Sequence, residues 1–492
     1  GHGGRRGLVR SAPSTHMTDA PPTTVVDATL LGATVPGVGP ERRVDVRIEH
    51  GRVAAIAAHL DRSDTDVTDA RGGLLIPGLH DHHLHLLAMA ATRWSLDVSA
   101  AADGAAFDAA IRAASSTAAP TDSPFESPGW LRIVGYDERL GPLDRDRLDR
   151  LAPHRPVRVQ HRSGAAWMLN GEAQRLTGAA EASGWVFRYD DALGARWRDN
   201  RGDDLAHALR DVSTSLASMG VTGVTDATPF ADASAFDVLA AARRSGDIAQ
   251  HVTVTGGPAL ATTSAPAGLD RGPVKLVVRD DALPSPDELA MHIDAAHRAS
   301  RCVAVHCVTR VAAVVALAAW RAAGHLPGDR IEHGSVLPSE LIDDLAGLGL
   351  TVVTQPAFVA ARGDRYLADV DPDDIAHLYR CGSLMAAGVG VGGSTDAPYG
   401  PGDPWQAMRA ATTRTTRSGA VLGHAERVTP GVALDLFLTS PSDPGGRPRR
   451  VAVGAVADLC LLDAPEAAAF ADLDSARVAA TWIDGRRVHG DG

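Results

Sequence analysis

Short apolar runs alternate with alanine-rich stretches through most of the chain. The runs are typical of buried strands, and the stretches have the composition and spacing of helices. This alternation is typical of βα units in a parallel barrel. The chain ends differ, because residues 23–75 and 450–490 show short strands with turn signals, including the apolar and charged alternation of residues 44–49. The pattern predicts an α/β protein with β-rich ends. Predicted helices include residues 285–299, 311–323 and 339–348.

A histidine-rich segment follows the apolar run at residues 74–79. Residues 80–85 read His-Asp-His-His-Leu-His. Alternate side chains of a strand share a face, so Asp81, His83 and His85 point one way, and His80 and His82 point the other. Two imidazoles at this spacing can chelate one ion from the end of a strand. We therefore expect His83 and His85 to be metal ligands.

Three later apolar runs end in His306, His333 and Asp396. A lone histidine on an apolar strand is more typical of a core residue than of a ligand. The order of the residues is more informative, since a His-x-His pair is followed by a lysine, two histidines and an aspartate. We expect each to lie at the carboxyl end of a successive strand, where parallel barrels gather their functional side chains.

Lys275 is the only lysine among the 48 basic Lys and Arg residues, and it lies in a strand-like apolar run. Arginine is effectively always protonated, whereas a buried lysine can lose its proton and react with CO2 to form a carbamate. A carbamylated lysine is an anionic oxygen ligand that can bridge two metal ions. The alternative is that Lys275 is a chance survivor of an arginine-biased composition.

These residues belong to an ordered set of motifs that extends from about Thr24 to the C-terminal strands. In this set the sequence resembles the amidohydrolase superfamily, in the long-chain branch that includes the N-substituted formamide deformylases (amidohydrolase family 3). The resemblance implies a (β/α)8 barrel over residues 76–440 and a small β-sandwich formed from residues 17–75 and 441–492. Residues 1–16 precede Met17 and are interpreted as an expression tag. The motifs are Pro77-Gly78-x-x-Asp81-x-His83-x-His85 and residues 128–130, 220–226, 330–333, 394–398, 454–463 and 483–488.

The resemblance also implies the ligands and the chemistry. One metal is expected on His83, His85 and Asp396, and the other on His306 and His333, with carboxylated Lys275 bridging them. Two zinc ions fit this ligand set, with manganese, cobalt and iron as alternatives, and without carboxylation the centre would be mononuclear. Asp396 is the expected catalytic proton carrier.

The implied reaction is hydrolysis of the C–N bond of an amide, formamide or carbamate-like small molecule by a metal-bound hydroxide. The alternative is a metal-dependent deaminase or a hydrolase of cyclic amides or ureides. A non-catalytic homologue is less consistent with the complete ligand set.

Candidate substrate contacts depart in part from the branch pattern. Ala165 stands where the branch often has a histidine, and His161 is the candidate to replace it. Arg310 is a candidate to bind a substrate carboxylate, although a solvated charge at a helix start is an equal interpretation. Trp167, placed near the third barrel strand, and Phe358 and Tyr399 are expected to line an apolar pocket, with core packing as the alternative.

Composition limits the partners. The net charge is −12 and no segment concentrates basic residues, which argues against nucleic acid. The four cysteines lack zinc-ribbon spacing and are expected to be free thiols in a reducing compartment. No apolar run approaches the ~20 residues of a membrane span, and the first sixteen residues lack a signal-peptide core. We expect a cytoplasmic enzyme with a small-molecule substrate, and self-association stays open.

Overall fold

The structure is a computed structural model that describes residues 22–31, 43–116, 130–162, 164, 166–179, 181–187 and 202–490. The predicted tag and Ala165 lie outside these residues.

The strands, in chain order, are β1 (Thr23–Leu30), β2 (Val44–Glu49), β3 (Arg52–Ala57), β4 (Asp66–Asp69), β5 (Leu74–Pro77), β6 (Leu79–Leu84), β7 (Leu96–Asp97), β8 (Leu131–Tyr136), β9 (Val157–His161), β10 (Ala166–Leu169), β11 (Trp185–Phe187), β12 (Val221–Asp226), β13 (His251–Gly256), β14 (Asp270–Val277), β15 (Val303–Cys307), β16 (Arg330–His333), β17 (Thr351–Thr354), β18 (Gly390–Gly393), β19 (Leu459–Leu462), β20 (Val478–Ile483) and β21 (Arg486–His489).

The α-helices are α1 (Leu86–Thr92), α2 (Gly104–Ser116), α3 (Arg145–Leu151), α4 (Gly171–Thr177), α5 (Gly202–Ser218), α6 (Ser234–Ser245), α7 (Pro286–Arg298), α8 (Arg310–Ala323), α9 (Ser339–Gly347), α10 (Ala357–Asp369), α11 (Pro372–Ile375), α12 (Cys381–Ala386), α13 (Pro404–Thr413), α14 (Pro430–Asp435) and α15 (Glu466–Asp472). Short 3-10 helices span Glu138–Leu140, Pro258–Leu260, His424–Glu426 and Ser475–Arg477.

Eight parallel strands form the barrel, in the order β6, β12, β13, β14, β15, β16, β17 and β18. The first and last strands meet at their carboxyl ends. There the Asp396 N–H donates to the His83 carbonyl at 2.8 Å, and the His85 N–H donates to the Ala397 carbonyl at 2.9 Å. The predicted (β/α)8 fold is confirmed, and its closing hydrogen bonds lie beside the predicted metal ligands.

The predicted helices 285–299, 311–323 and 339–348 are present as α7, α8 and α9. In α7, Ser285 and Glu288 form a capping box, so the first turn has side-chain partners for its free backbone groups. Leu289, Ile293 and Ala296 recur at helical spacing and are buried, which fixes the face that packs on the barrel.

A second sheet joins the two chain ends, in the order β21, β20, β19, β5, β1, β2 and β3, with β4 on β1. Strand β19 pairs antiparallel with β5, and Leu75, Leu461 and Trp482 share one buried cluster. The chain passes from this sheet into the barrel at Gly78, where a Cβ atom would lie 2.1 Å from Thr222 Cγ2. Only glycine fits this approach. The boundaries 75/76 and 440/441 stay predictions.

A third sheet, in the order β11, β10, β9, β8 and β7, is inserted between the first barrel strand, β6, and the second, β12. It has its own core around Ile133, Val159 and Met168. The sequence interpretation placed Trp167 near the third barrel strand, and this was wrong. Trp167 lies in β10 of the inserted sheet, whereas the third barrel strand is β13.

Two further predictions concern the cysteines and membrane-spanning helices. Cys302, Cys307, Cys381 and Cys460 are all free thiols, as predicted. Within the described ranges, no helix combines the length and the hydrophobicity that crossing a bilayer requires.

Candidate metal centre

The six predicted metal ligands come from five barrel strands. His83 lies in β6 and His85 follows it, Lys275 lies in β14, His306 in β15 and His333 ends β16. Asp396 follows β18. The strands are not all successive as predicted, because β17 lies between those of His333 and Asp396.

His83, His85 and Asp396 form the carboxyl-edge group. Asp396 Oδ1 lies 3.5 Å from His83 Nε2 and 3.2 Å from His85 Nε2. One ligand atom from each residue falls within 4.8 Å of the others, a spacing at which they could hold a metal ion. One oxygen and two imidazole nitrogens are ordinary ligands for zinc and related ions.

His306 and His333 form the neighbouring histidine pair. Their ring centroids are 4.4 Å apart, and the His333 ring is 4.8 Å from that of His83. The structure therefore brings all four predicted histidine ligands into one continuous cluster.

Three of these histidines are oriented through Nδ1. His83 Nδ1 lies 2.5 Å from Glu332 Oε2, and His333 Nδ1 lies 2.8 Å from Gln355 Oε1. His85 Nδ1 lies 2.8 Å from Thr228 Oγ1. When Nδ1 donates to these oxygens, the Nε2 lone pair is left for a metal, the usual arrangement around ligating histidines.

Burial favours the neutral form of three of these histidines. It lowers the pKa of His83 to about 3, with the Lys275 charge adding to the effect. Burial also lowers the pKa of His306 well below its ordinary value and lowers that of His333. Neutral imidazole is the form that binds a metal.

Two site residues, His333 and Asp396, have left-handed backbones, with φ of 72° and 56°. This region is uncommon for residues other than glycine, with aspartate and histidine among the types that adopt it more readily. Consecutive side chains of a strand normally face opposite ways. The left-handed turn at His333 breaks this alternation, so Glu332 and His333 both contact His83.

Glu332 is a site residue that the sequence interpretation missed. It is fully buried, and the Arg330 Nε donates to its Oε1 at 2.8 Å while the other oxygen contacts His83. Burial alone would raise the pKa of Glu332, but the charges of Arg330 and Lys275 hold it well below its usual range. In the sequence, a charged residue inside an apolar strand could have identified Glu332 as a site residue. Gln355 and Thr228 gave no comparable signal in the sequence.

Lys275 is buried, with 3% of its surface exposed. Its Nζ has no hydrogen-bond partner among the described residues, and the Glu332 Oε1 lies 4.0 Å away. Burial lowers the pKa of Lys275 to about 8. A buried amine without a partner is costly and is expected to have a function or a missing ligand.

Asp396 is ionised despite its burial. Burial raises its pKa, but the contact with His85 and the neighbouring imidazoles of His83 and His333 outweigh this effect and lower the pKa below its ordinary value. Asp81 holds the backbone beside Asp396 through the preceding residue, Thr395. Its carboxylate accepts hydrogen bonds from the backbone and the hydroxyl of Thr395 at 3.2 and 2.5 Å.

His80 and His82 point away from this cluster, as the alternation predicted. His80 Nε2 contacts Thr225 Oγ1 at 2.9 Å, and His82 Nε2 contacts Thr439 Oγ1 at 2.8 Å.

Among the predicted substrate contacts, Tyr399 lies at the centre. Its ring is 5.3 Å from that of His85, in an edge-to-face arrangement. Phe358 is buried beside it, and a Cβ atom on Gly400 would lie 2.6 Å from the Phe358 ring. Phe358 therefore supports the Tyr399 loop.

The other three candidates have contacts elsewhere. His161 Nε2 lies 3.1 Å from Glu138 Oε1. Trp167 is buried in the inserted sheet, with the guanidinium carbons of Arg132 and Arg158 each 5.2 Å from its ring centroid. Arg310 forms an ion pair with Asp374, which favours the structural interpretation of this arginine.

Residues 66–489 match the amidohydrolase family. The chain belongs to the amidohydrolase family. N-substituted formamide deformylase of Arthrobacter pascens is 25% identical over 521 residues, which cover 89% of this chain and 94% of that protein. This amidohydrolase is therefore a metal-dependent enzyme that hydrolyses carbon–nitrogen bonds, as predicted.

Solved structures share the fold of this amidohydrolase. An uncharacterized metal-dependent hydrolase from Pyrococcus furiosus has a TM-score of 0.68 at 21% identity, over 90% of this chain and 99% of that chain. Atrazine chlorohydrolase TrzN from Arthrobacter aurescens TC1, complexed with zinc, has a TM-score of 0.54 at 14% identity, over 95% of each chain.

Proposed function

We propose that this amidohydrolase hydrolyses an N-substituted formamide or a closely related small amide, using two divalent metal ions. The first ion is assigned to His83, His85 and Asp396, and the second to His306 and His333. Lys275, carboxylated at Nζ, is assigned as the bridge. The observation that carries this proposal is the buried Lys275 amine, which has no hydrogen-bond partner among the described residues and whose charge acts on His83, His306 and His333.

The donor set supports this assignment. The Nε2 atoms of His83 and His85 lie within 3.5 Å of the Asp396 carboxylate, close enough for a shared ion. The positive charge of Lys275 lowers the pKa values of His83, His306 and His333, so its amine lies in the field of both groups. Carboxylation would replace this positive charge with a negative one between two cations. Zinc is the proposed metal, because the ligands combine imidazole with carboxylate oxygen.

When bound, the metal ions supply Lewis-acid activation of water and of the scissile carbonyl. Asp396 is proposed to accept the proton of the attacking water and to deliver it to the leaving nitrogen. Glu332, Thr228 and Gln355 hold the imidazole rings in the ligating orientation. The ring of Tyr399 beside His85 is proposed to bound the substrate pocket.

Metal content and product analysis test the proposal together. We expect about two metal ions per chain by elemental analysis, and release of formate and benzylamine from N-benzylformamide. A deaminase would instead release ammonia from a ring amidine. A protein that is fully loaded with metal but inactive on formamides and simple amides would contradict the proposed substrate class.

The ligand assignment has its own test. Single alanine substitutions at His83, His85, His306 and His333 should reduce the metal content while the barrel stays folded. The matched control is His82→Ala, because His82 belongs to the same strand but contacts Thr439. Full metal content in a folded quadruple variant would contradict the assignment.

A further inference from the structure

We infer that Arg162 and Arg362 form an anion-binding subsite at the edge of the metal centre, and that the substrate carries a carboxylate. The inference rests on the proposed function and adds a substrate class to it.

Tyr399 connects the subsite to the centre. Its ring lies against His85, at 5.3 Å between centroids, and its backbone carbonyl accepts a hydrogen bond from Arg362 Nη2 at 2.5 Å. On its other side is Gly164, where a Cβ atom would lie 2.5 Å from Tyr399 Cε1. The end of the inserted sheet and helix α10 therefore both reach the residue that borders the predicted metal ligands.

Arg362 is held in place at this edge. The guanidinium carbon lies 4.0 Å from the ring centroid of Phe358, a cation–π contact that orients the side chain. The hydrogen bond to Tyr399 occupies only one of its five N–H groups. Among the described residues, no carboxylate forms an ion pair with Arg362. Most of its donors are left for a ligand.

Arg162 lies two residues before Gly164, and its N–H donates to the Tyr136 carbonyl at 2.9 Å, which anchors the start of this loop. The side chain is partly buried, and its Nε is buried without a hydrogen-bond partner in the described part of the chain. Burial and the charges of Arg365 and Arg362 lower the pKa of Arg162. Gly164, two residues after Arg162, and the Arg362 side chain both contact Tyr399, which brings the two arginines to the same loop.

The nearby carboxylates are already engaged by other groups. Glu138 pairs with Arg365 at 2.8 Å and with His161 at 3.1 Å. Asp137 pairs with Arg139 at 3.0 Å. Arg365 also pairs with Asp369 at 3.0 Å, so its charge is neutralised. Arg162 and Arg362 form no ion pair with a carboxylate among the described residues, and Glu138 and Asp137 act on Arg162 only through their charges.

Two guanidinium groups that repel each other are stabilised by an anion that both can bind. Guanidinium matches a carboxylate in a bidentate geometry, and such charge-assisted bonds are about twice as strong as neutral ones. Arg310, the carboxylate binder considered from the sequence, is instead paired with Asp374.

A matched pair of substrates tests the subsite. N-Benzylformamide is neutral, and 4-(formamidomethyl)benzoate is the same molecule with a carboxylate. We expect the wild-type, metal-loaded enzyme to prefer the carboxylate by at least about tenfold in kcat/KM. Arg162→Gln and Arg362→Gln should each remove most of this preference, mainly by raising the KM of the carboxylate substrate. Arg310→Gln is the control, because Arg310 is paired with Asp374, and it should keep the preference.

Calorimetry provides a readout that needs no turnover. Benzoate should bind the metal-loaded wild type more tightly than benzamide, and the Arg162→Gln/Arg362→Gln double variant should lose this difference. Undiminished benzoate binding by the folded double variant would place the anion on the metals and overturn the inference. A wild-type preference for the neutral formamide would also overturn it, while leaving the proposed function intact. If neither formamide is hydrolysed, the proposed function fails on this substrate class, and benzoate binding still decides the inference.

Discussion

Two groups of histidine and aspartate among the described residues have ligand atoms close enough to hold a metal ion. One is the carboxyl-edge group, His83, His85 and Asp396. The other lies at the opposite end of the barrel, where β13 begins, and comprises His251, Asp458 and Asp484. We call the second set the amino-edge group. The two groups have the same residue types but differ in the partners around them.

In the carboxyl-edge group, burial outweighs the charges of Glu332 and Asp396 at His83 and favours its neutral imidazole, while Nε2 of His83 and of His85 points at the Asp396 carboxylate. Nδ1 of His83 and of His85 each has an oxygen partner, and burial lowers the pKa of His83 to about 3. The left-handed backbone at Asp396 aims its carboxylate at both Nε2 atoms. These contacts orient ligands and do not neutralise charges.

In the amino-edge group, the contacts favour a protonated imidazole. His251 Nε2 lies 3.1 Å from Asp458 Oδ2, and the Asp484 N–H donates to the Asp458 Oδ1 at 2.9 Å. Burial opposes protonation of His251, but the hydrogen bond and the charge of Asp458 outweigh it and raise the pKa. Arg243 adds positive charge nearby. The same residue types here form an ion pair that ties the barrel to the terminal sheet. The orienting partners, and not the residue types alone, distinguish a metal site from a structural contact.

The largest expected effect is at Lys275. Lys275→Arg keeps a long basic side chain but places a permanent positive charge between the two metal positions. We expect the loss of at least one metal and of nearly all activity, measured by elemental analysis and formamide turnover. Lys275→Ala should be partly restored by added acetate or propionate. A Lys275→Arg protein with two metals and wild-type turnover would show that the only lysine of the chain has another role.

Next in size is Asp396→Asn. The amide retains most of the shape but cannot carry the proton, so kcat should fall by roughly two to four orders of magnitude. Much of the metal should stay bound, because the histidine ligands are intact. Retained turnover would assign the proton transfer to another residue.

Glu332→Gln should have an intermediate effect, because it removes the charged partner of His83 without touching a ligand. Losses of about 10- to 100-fold in metal affinity or activity are typical of such partners. The metal dissociation constant is the readout that separates this role from catalysis. Asp458→Asn is the matched change in the amino-edge group, and it should leave metal content unchanged. A loss of metal in the Asp458 variant would abolish the distinction between the two groups.

Sequence patterns anticipated the barrel and the carboxyl-edge ligands because both follow from local order. Alternation in residues 80–85 separated His83 and His85 from His80 and His82, and the structure has the same division. The partners that orient these ligands come from other strands, such as Glu332 of β16 for His83. No local pattern pairs residues so far apart in the chain.

The inserted sheet was misassigned for a related reason. Strand periodicity identifies β9 and β10 as buried strands but does not say which sheet they join. Pairing with β8 and β11 decides this, and it depends on contacts between segments. Arg162 and Arg362 gave no signal in the sequence either, because only the contact of Gly164 with Tyr399 brings them to one loop.

The smallest expected effect sharpens the comparison through pH. The pKa of His251 is raised in the folded protein, so its bound proton stabilises the fold. This contribution is complete below the unfolded pKa of about 6.5 and is lost as the pH rises through the folded value. Melting temperatures of the wild type and of His251→Gln, measured from pH 5.5 to 8.5, should therefore differ most at the acidic end and converge toward the alkaline end. The gap is expected to be on the order of 1 °C, because a partly exposed pair contributes little.

His207→Gln is the control, since His207 is exposed and 3.9 Å from Asp211, and it should show no such trend. A gap that widens with rising pH would mean that the pKa of His251 is lowered in the folded state, as that of His83 is. The direction of the pKa shift would then no longer distinguish the two groups.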